Sequence, residues 1–103
     1  MVNRGEVWWR ELPEVTRRPF LVLTRDSALS VLTSTLAVPA TRTVRGIPTE
    51  VALDQSDGMP DACVLTLDNL TVVDISSLTR RITRLNADRM AEVCHALQVA
   101  TGC

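Results

Sequence analysis

The sequence contains no lysine, only one histidine and no two cysteines at the spacing of a metal-binding motif. All eleven basic residues are therefore arginine. Cys63, Cys94 and Cys103 are odd in number and far apart, which predicts reduced thiols rather than disulfides or a zinc site. With His95 as the single histidine, a Ser-His or Cys-His nucleophile pair is not expected. These residues predict neither a metal site nor a cofactor.

Long apolar runs are also missing. No stretch approaches the roughly 20 residues needed to span a membrane. Charged residues interrupt positions 1–14, where a signal peptide would carry its apolar core. We therefore expect a cytoplasmic protein that contacts no membrane. The 103 residues, 46% of them hydrophobic, are enough for a single domain, 1–103, with one modest core.

Two common sequence motifs of phosphate and acyl chemistry are absent as well. The chain has neither a glycine-rich phosphate loop nor a GxSxG nucleophile motif. The acidic segment 54–61 lacks the spacing of a calcium-binding loop, so its aspartates and glycine predict a turn. What remains for chemistry is arginine together with hydroxyl groups.

The charges that are present are segregated along the chain. Segment 17–45 has a local charge of +4, segment 50–74 of −6 and segment 80–92 of +2, although the net charge is only −1. Such a chain can offer a basic face to a nucleic acid despite its nearly neutral total. An alternative is that arginine usage reflects genomic base composition and that the blocks are solvated surface. This alternative explains the missing lysine well and the segregation less well.

Short apolar segments alternate with proline- and glycine-containing turns. Strands separated by about ten residues with short turns are typical of a small antiparallel β-barrel or a strongly bent sheet. The run at 19–24 is continuously apolar and predicts a strand buried on both faces. The predicted strands are 6–12, 19–24, 34–40, 49–53, 62–67 and 81–85.

The C-terminal segment has a different periodicity. Asn86 is a typical helix N-cap and Gly102 a typical helix stop. His95 falls off the apolar face of this helix and is expected to be exposed, and a short helical turn is expected at 75–78. The apolar face is predicted from the i, i+3, i+4, i+7 spacing of Met90, Val93, Cys94 and Leu97.

Arginines and threonines cluster at the predicted ends of two strands. One pair lies at the rim of the second strand, and a Thr-Arg-Thr sequence ends the third. In a small barrel these ends can meet, and guanidinium and hydroxyl groups together suit a phosphodiester without a metal. On the residues alone, the alternative that these arginines are simply solvated is favoured. The residues concerned are Arg17, Arg18, Thr41, Arg42, Thr43 and Arg45.

Several short motifs occur in a fixed order along nearly the whole chain. They are Arg4-Gly5-Glu6-Val7-Trp8, Arg18-Pro19-Phe20-Leu21-Val22-Leu23, Val38-Pro39-Ala40-Thr41, Pro48-Thr49-Glu50-Val51, the Gly58 turn, Asp68-Asn69-Leu70-Thr71-Val72-Val73-Asp74, and the helix with Met90, Val93, Ala96 and Leu97. This ordered set resembles the MazF/PemK family of toxin ribonucleases from bacterial toxin–antitoxin pairs. The chain departs from the family in lacking a glycine at 13–17 and in having Asn69 where glutamine is frequent.

The resemblance implies a mainly β (α+β) fold, a small SH3-like antiparallel β-barrel with a C-terminal α-helix, and usually a homodimer. It implies sequence-specific, metal-independent cleavage of single-stranded RNA. The substrate's own 2′-hydroxyl attacks the phosphorus and leaves a 2′,3′-cyclic phosphate and a 5′-hydroxyl. The family's catalytic arginine falls on Arg18, which would neutralise the phosphorane, and its threonine or serine falls on Thr41, which would hydrogen-bond a phosphate oxygen.

Further residues are expected to hold the RNA. Arginines and threonines near the site would bind flanking phosphates or bases, and Trp8 or Trp9 could stack on a base while the other lies in the core. The predicted RNA-binding residues are Arg17, Arg25, Arg42, Thr43, Arg45, Trp8 and Asn69.

The resemblance also implies a protein partner. This is a cognate antitoxin whose C-terminal segment would cover the RNA site, received by the basic stretch 17–45 and by Leu29, Val31 and Leu32. Equally, those three residues could pack under their own loop. Two other functions remain open: a non-enzymatic poison of a protein target such as gyrase, as in CcdB toxins of the same fold, and a silent RNA-binding module.

Overall fold

The computed structural model describes residues 1–12 and 15–103. It contains seven strands, two α-helices and three short 3-10 turns. The strands are β1 (Glu6–Leu12), β2 (Val15–Val22), β3 (Ser34–Thr41), β4 (Glu50–Leu53), β5 (Cys63–Thr66), β6 (Thr71–Asp74) and β7 (Leu78–Arg84). The helices are α1 (Asp26–Leu29) and α2 (Ala87–Thr101), and the 3-10 turns are Gln55–Asp57, Leu67–Asn69 and Ile75–Ser77.

All strand pairs are antiparallel, and the strand order is β4-β5-β3-β2-β1-β7. Strand β3 is the centre of the sheet: its first half pairs with β6 and its end pairs with β5. Within the described residues no pairing joins β4 to β7, so the sheet is open where a closed barrel would be sealed. The predicted mainly β fold with a C-terminal helix is confirmed.

Most predicted strands are present with shifted ends. Strand β1 has the predicted bounds, whereas β2 begins at Val15 rather than at 19 and β7 begins at Leu78 rather than at 81. Pro19 lies within β2 opposite Trp9, although proline has no N–H to donate and suggested a strand start. Strand β6 was not predicted, because only Val73 of its four residues is buried. Pro13 and Glu14, where the family glycine is missing, lie outside the described residues.

The apolar run of β2 is buried on both faces of the sheet, as predicted. Leu21 and Leu23 pack into a larger core between the sheet and α2, while Phe20 and Val22 pack into a smaller core on the opposite face. Leu29 belongs to the smaller core and is buried, so the expectation that it receives a partner is wrong. Besides these residues, the larger core includes Val7, Val38, Leu53, Leu65, Leu67, Val93 and Ala96.

Helix α2 begins and ends where the sequence predicts. The Oδ1 atom of Asn86 accepts a hydrogen bond of 2.8 Å from the backbone N–H of Arg89, and Gly102 ends the helix at φ +72°. His95 is exposed, as predicted. Cys94 is only half-buried, whereas Ala96, outside the predicted apolar face, is fully packed in the core. No helix within the described residues is both long and apolar enough to cross a membrane.

The acidic segment forms a turn, as predicted, and this turn is tied to α2. Asp54 caps it and accepts hydrogen bonds from Ser56, which hold the pKa of Asp54 below its usual range. The Asp57 side chain, 6% exposed, accepts hydrogen bonds of 2.9 and 3.3 Å from Arg89, and the first of these raises the pKa of Arg89. Gly58 then turns the chain at φ +89° and leads to the buried Met59.

Candidate active site

A groove of about 520 Å³ opens beside the ends of β2 and β3. Its walls come from four separate parts of the chain: β1, β2, the end of β3 with the following loop, and the segment between the Gly58 turn and β5. The lining residues are Trp9, Arg17, Arg18, Pro19, Ala40, Thr41, Arg42, Thr43, Met59, Pro60, Asp61 and Cys63.

Arg18 and Thr41 both line this groove, from neighbouring strands. Phe20 pairs with Pro39 in the antiparallel β2–β3 ladder. Arg18 and Thr41 each lie two residues beyond this pair on their own strands, and both line the groove. The two predicted residues therefore line one groove, but Arg18 lies within β2 rather than at its rim, because β2 begins at Val15.

The two side chains are presented differently. Arg18 is exposed, and its guanidinium forms no hydrogen bond or ion pair within residues 1–12 and 15–103. Thr41 is half-buried, and its Oγ1 accepts a hydrogen bond of 3.2 Å from the backbone N–H of Thr43. Because this bond uses an acceptor position, the hydroxyl proton of Thr41 can be donated to a bound oxygen. The groove thus contains the Thr41 hydroxyl, held by a backbone hydrogen bond, and the solvent-exposed guanidinium of Arg18.

One tryptophan lies in the groove and the other does not. Trp9 lines the groove, and the guanidinium of Arg17 lies over its ring at 4.4 Å from the centroid. Trp8 points to the opposite face of the sheet, packs against the smaller core and donates from Nε1 to Glu6 Oε1 at 3.1 Å. Of the two tryptophans, Trp9 is therefore the one that lies in the groove.

The groove is strongly basic. Arg17, Arg18 and Arg42 line it, and Asp61 is the one acidic residue among the lining residues within 1–12 and 15–103. Arg42 and Asp61 form an ion pair with 2.8 Å between Nη2 and Oδ2, but both side chains are mostly exposed. An exposed pair contributes only about 0–1 kcal/mol to stability. The remaining positive charge favours a polyanion such as a nucleic acid strand.

Several predicted residues lie away from the groove. Arg25 precedes α1, and the backbone N–H of Arg45 donates to the carboxylate of Glu50. Asn69 donates from its side chain to Thr66 at 3.4 Å. With Trp8, these three predicted RNA-binding residues are not in the groove lining, whereas Arg17, Arg42 and Thr43 are.

Sequence reasoning did not find the opposite wall of the groove. Met59, Pro60, Asp61 and Cys63 lie about twenty residues beyond Thr41 and become neighbours only through the β3–β5 pairing of Thr41 with Val64. A turn and an acidic residue were visible in the sequence, but nothing local indicated that they face the arginines.

Cys63 is a half-buried thiol in this wall. Burial raises its pKa, and the nearby carboxylates of Asp57 and Asp61 raise it further. The thiol is therefore neutral at physiological pH and is a poor nucleophile. Among the described residues, no group of three histidine, cysteine or acidic side chains is placed to hold a metal ion.

The protonation state of Cys63 predicts its reactivity. Iodoacetamide at pH 7.5 should alkylate Cys63 roughly tenfold more slowly than Cys103, which is exposed. The rate at Cys63 should rise as the pH approaches its raised pKa, because the thiolate is the reactive form. Mass spectrometry of the modified peptides measures both rates in one sample. Equal rates at pH 7.5 would contradict the neutral, half-buried thiol.

Residues 3–101 match the family model described as the PemK-like, MazF-like toxin of type II toxin–antitoxin systems. The chain is 44% identical over 101 residues to probable endoribonuclease MazF5 of Mycobacterium tuberculosis, covering 97% of this chain and 93% of that relative. It is 38% identical over 103 residues to probable endoribonuclease MazF2 of the same species, covering 99% of this chain and 100% of that relative.

Solved structures give the same result. The Mycobacterium tuberculosis toxin MazF-mt6 superposes with a TM-score of 0.86 at 31% identity, covering 94% of this chain and 96% of that one. An endoribonuclease from Mycobacterial species in complex with its cognate antitoxin superposes with a TM-score of 0.90 at 25% identity, covering 99% and 96%. The chain, with its groove of arginines and threonines at the ends of β2 and β3, belongs to the PemK/MazF family of toxins of type II toxin–antitoxin systems.

Proposed function

We propose that this toxin is an endoribonuclease that cleaves single-stranded RNA at specific sequences without a metal ion. The observation that carries the proposal is the meeting of Arg18 and Thr41 in a basic groove. The relatives named above as endoribonucleases support the same activity. They favour RNA cleavage over poisoning of gyrase and over silent RNA binding. Residues 1–103 act as a single domain in the cytoplasm.

The reaction uses a nucleophile that the RNA supplies. The 2′-hydroxyl oxygen forms a bond to the adjacent phosphorus and gives its proton to a water molecule, while the bond from phosphorus to the 5′-oxygen breaks and that oxygen takes up a proton from water. The products are a 2′,3′-cyclic phosphate and a 5′-hydroxyl. Neither an activated serine nor a cysteine thiolate is required, which fits the neutral thiol of Cys63.

Arg18 and Thr41 act on the phosphate. As the phosphorus becomes five-coordinate, negative charge grows on its non-bridging oxygens. A guanidinium donates two parallel, charge-assisted hydrogen bonds to such oxygens, and the Thr41 hydroxyl donates a third. Because a guanidinium stays protonated at neutral pH, it serves here as an electrostatic stabiliser rather than as the general base.

The rest of the groove holds the strand. Arg17, Arg42 and Thr43 contact flanking phosphates, and Trp9 with its Arg17 partner offers a flat surface on which a base can stack. Outside the groove lining, Trp8, Arg25, Arg45 and Asn69 remain predicted RNA contacts. From their positions they would meet only nucleotides that extend beyond the groove.

Two protein partners complete the proposal. A cognate antitoxin lays its C-terminal segment over the groove. Two similar solved structures support such a partner: an endoribonuclease from Mycobacterial species in complex with its cognate antitoxin, and MazE-MazF from Deinococcus radiodurans. The toxin is also a homodimer. An exposed apolar surface, in which Leu36 of β3 and Val72 of β6 are cross-strand neighbours, supports burial against another chain. Val31 and Leu32 are exposed too.

The test is cleavage of an RNA pool by purified protein in excess EDTA. We expect cuts at a short recurring sequence, with fragments that carry a cyclic phosphate at one end and a free 5′-hydroxyl at the other. Ligation-based mapping distinguishes these ends from 3′-hydroxyl and 5′-phosphate ends. Cleavage that appears only when Mg²⁺ is restored, or fragments with 5′-phosphates, would contradict the proposed mechanism.

A further inference from the structure

Asp61 is a charged residue of the groove to which the proposed reaction gives no role. Among the lining residues that the structure describes it is the one acidic residue, and these residues include three arginines. Its side chain is 60% exposed and is bound through Oδ2 to Nη2 of Arg42. Oδ1 accepts no hydrogen bond from the described residues. One carboxylate oxygen therefore faces a groove that is otherwise suited to phosphate.

Neither stability nor phosphate binding accounts for this carboxylate. An exposed ion pair with Arg42 contributes little to folding. A negative charge in the groove repels every phosphate of a bound strand, so it lowers the affinity for any RNA. The charge becomes favourable only where the carboxylate accepts hydrogen bonds from the RNA. The donors of an RNA strand are its 2′-hydroxyls and the N–H groups of its bases, and only a base can present two donors side by side to the two oxygens of a carboxylate.

The position of Asp61 is fixed by the fold. Met59, two residues before it, is buried in the larger core, and Gly58 turns the chain just ahead of that. The preceding Asp57 is bound to Arg89 of α2 by two hydrogen bonds. The segment that presents Asp61 is thus anchored to both the core and the helix, as a residue that reads a base has to be.

Base chemistry points to guanine. In single-stranded RNA the Watson–Crick edges of the bases are available for recognition. Guanine presents two adjacent donors on that edge, N1–H and the N2 amino group, and a carboxylate with two acceptor oxygens matches them. The other three bases present one donor with an acceptor beside it, which repels the second oxygen.

We propose that Asp61 selects a guanine next to the cleaved linkage. This inference rests on the proposed ribonuclease function and adds the base that the groove prefers at one position. Arg42 orients the carboxylate, and on binding the guanine edge takes the acceptor positions of Asp61 that Arg42 leaves open.

The test compares three proteins on a random-sequence pool of short single-stranded RNAs in EDTA. Wild-type protein should show guanine enriched at one position of the cut sites. Asp61→Asn keeps the shape of the side chain but loses the charge and one acceptor, so it should still cut while the preference for guanine falls roughly 10- to 100-fold. Asp88→Asn, which removes an exposed carboxylate outside the groove, is the matched control and should keep the wild-type preference.

A second substrate series tests the atoms involved. Inosine lacks the N2 amino group of guanine but keeps N1–H. Replacing the selected guanine by inosine should slow the wild-type protein, while Asp61→Asn should cut the two RNAs at similar rates. A structural role for Asp61 would lower both rates together and leave their ratio unchanged.

The outcomes separate this inference from the function on which it rests. Cleavage by wild type with no guanine preference, or an Asp61→Asn profile identical to wild type, overturns the selection of guanine and leaves the ribonuclease intact. If the folded wild-type protein cuts no RNA in the pool, the proposed function fails and the selection of guanine fails with it.

Discussion

Replacing Arg18 by alanine should lower the rate of RNA cleavage by roughly 100- to 1000-fold, the cost typical of removing one preorganised donor from a developing oxyanion. Arg18 is exposed and lies in no core, so the fold should be unaffected. Arg18→Lys keeps the charge but loses the planar fork, and it should recover only part of the rate. Single-turnover cleavage in EDTA measures the effect, and circular dichroism checks the fold.

The matched control for Arg18 is Arg84→Ala. Arg84 is an exposed arginine at the end of β7 and does not line the groove. Its loss changes the net charge by the same amount, so it reports any general electrostatic effect on RNA binding. We expect a change of less than about threefold for Arg84→Ala. A rate for Arg18→Ala as close to wild type as that of Arg84→Ala would remove Arg18 from the mechanism.

Replacing Gly58 by alanine should lower the stability of the fold, and by more than the same substitution at Gly46. Gly58 has a φ of +89°, and a Cβ at this position would lie 2.8 Å from the Cβ of Thr83 and closer still to its hydroxyl oxygen. The left-handed backbone costs about 1–2 kcal/mol for a residue with a Cβ, and overpacking adds about 1–3 kcal/mol. We expect a loss of about 2–5 kcal/mol in the free energy of unfolding, measured by urea denaturation.

Gly46 provides the comparison that separates these two costs. Its φ is +69°, but a Cβ there would meet nothing within 4 Å. Gly46→Ala should therefore cost only the backbone term of about 1–2 kcal/mol. Equal losses for the two variants would show that the contact with Thr83 relaxes without cost. If Gly58→Ala loses more stability than Gly46→Ala, it should also cleave RNA more slowly, because the Gly58 turn leads into the Met59–Asp61 wall of the groove.

The sequence indicated Arg18 and Thr41 as the proposed catalytic residues because both belong to short local motifs. Arg18 precedes the apolar run of β2, and Thr41 ends β3. Both residues reach the same groove because β2 and β3 are antiparallel and Phe20 pairs with Pro39. Local pattern and resemblance together were sufficient to indicate these two residues of the groove lining.

The rest of the groove depends on distant parts of the chain. Alternation along β1 shows that Trp8 and Trp9 face opposite sides, but both sides of this sheet are covered by cores, so the sequence could not tell which side holds the groove. Asp61 and Cys63 reach the arginines only through the pairing of β3 with β5. Strand β6 was missed for a similar reason, since its pairing with Ser34–Ala37 of β3 rather than its own composition makes it a strand.

In the proposed reaction the RNA's own 2′-hydroxyl is the nucleophile. The most direct measurement uses an RNA with a single 2′-deoxynucleotide on the 5′ side of one mapped cleavage site and an unmodified copy of the same site elsewhere in the strand. We predict that cutting stops at the modified site and continues at the unmodified one. Cutting of both sites at similar rates would show that water or a protein group is the nucleophile, and would contradict the mechanism assigned to Arg18 and Thr41.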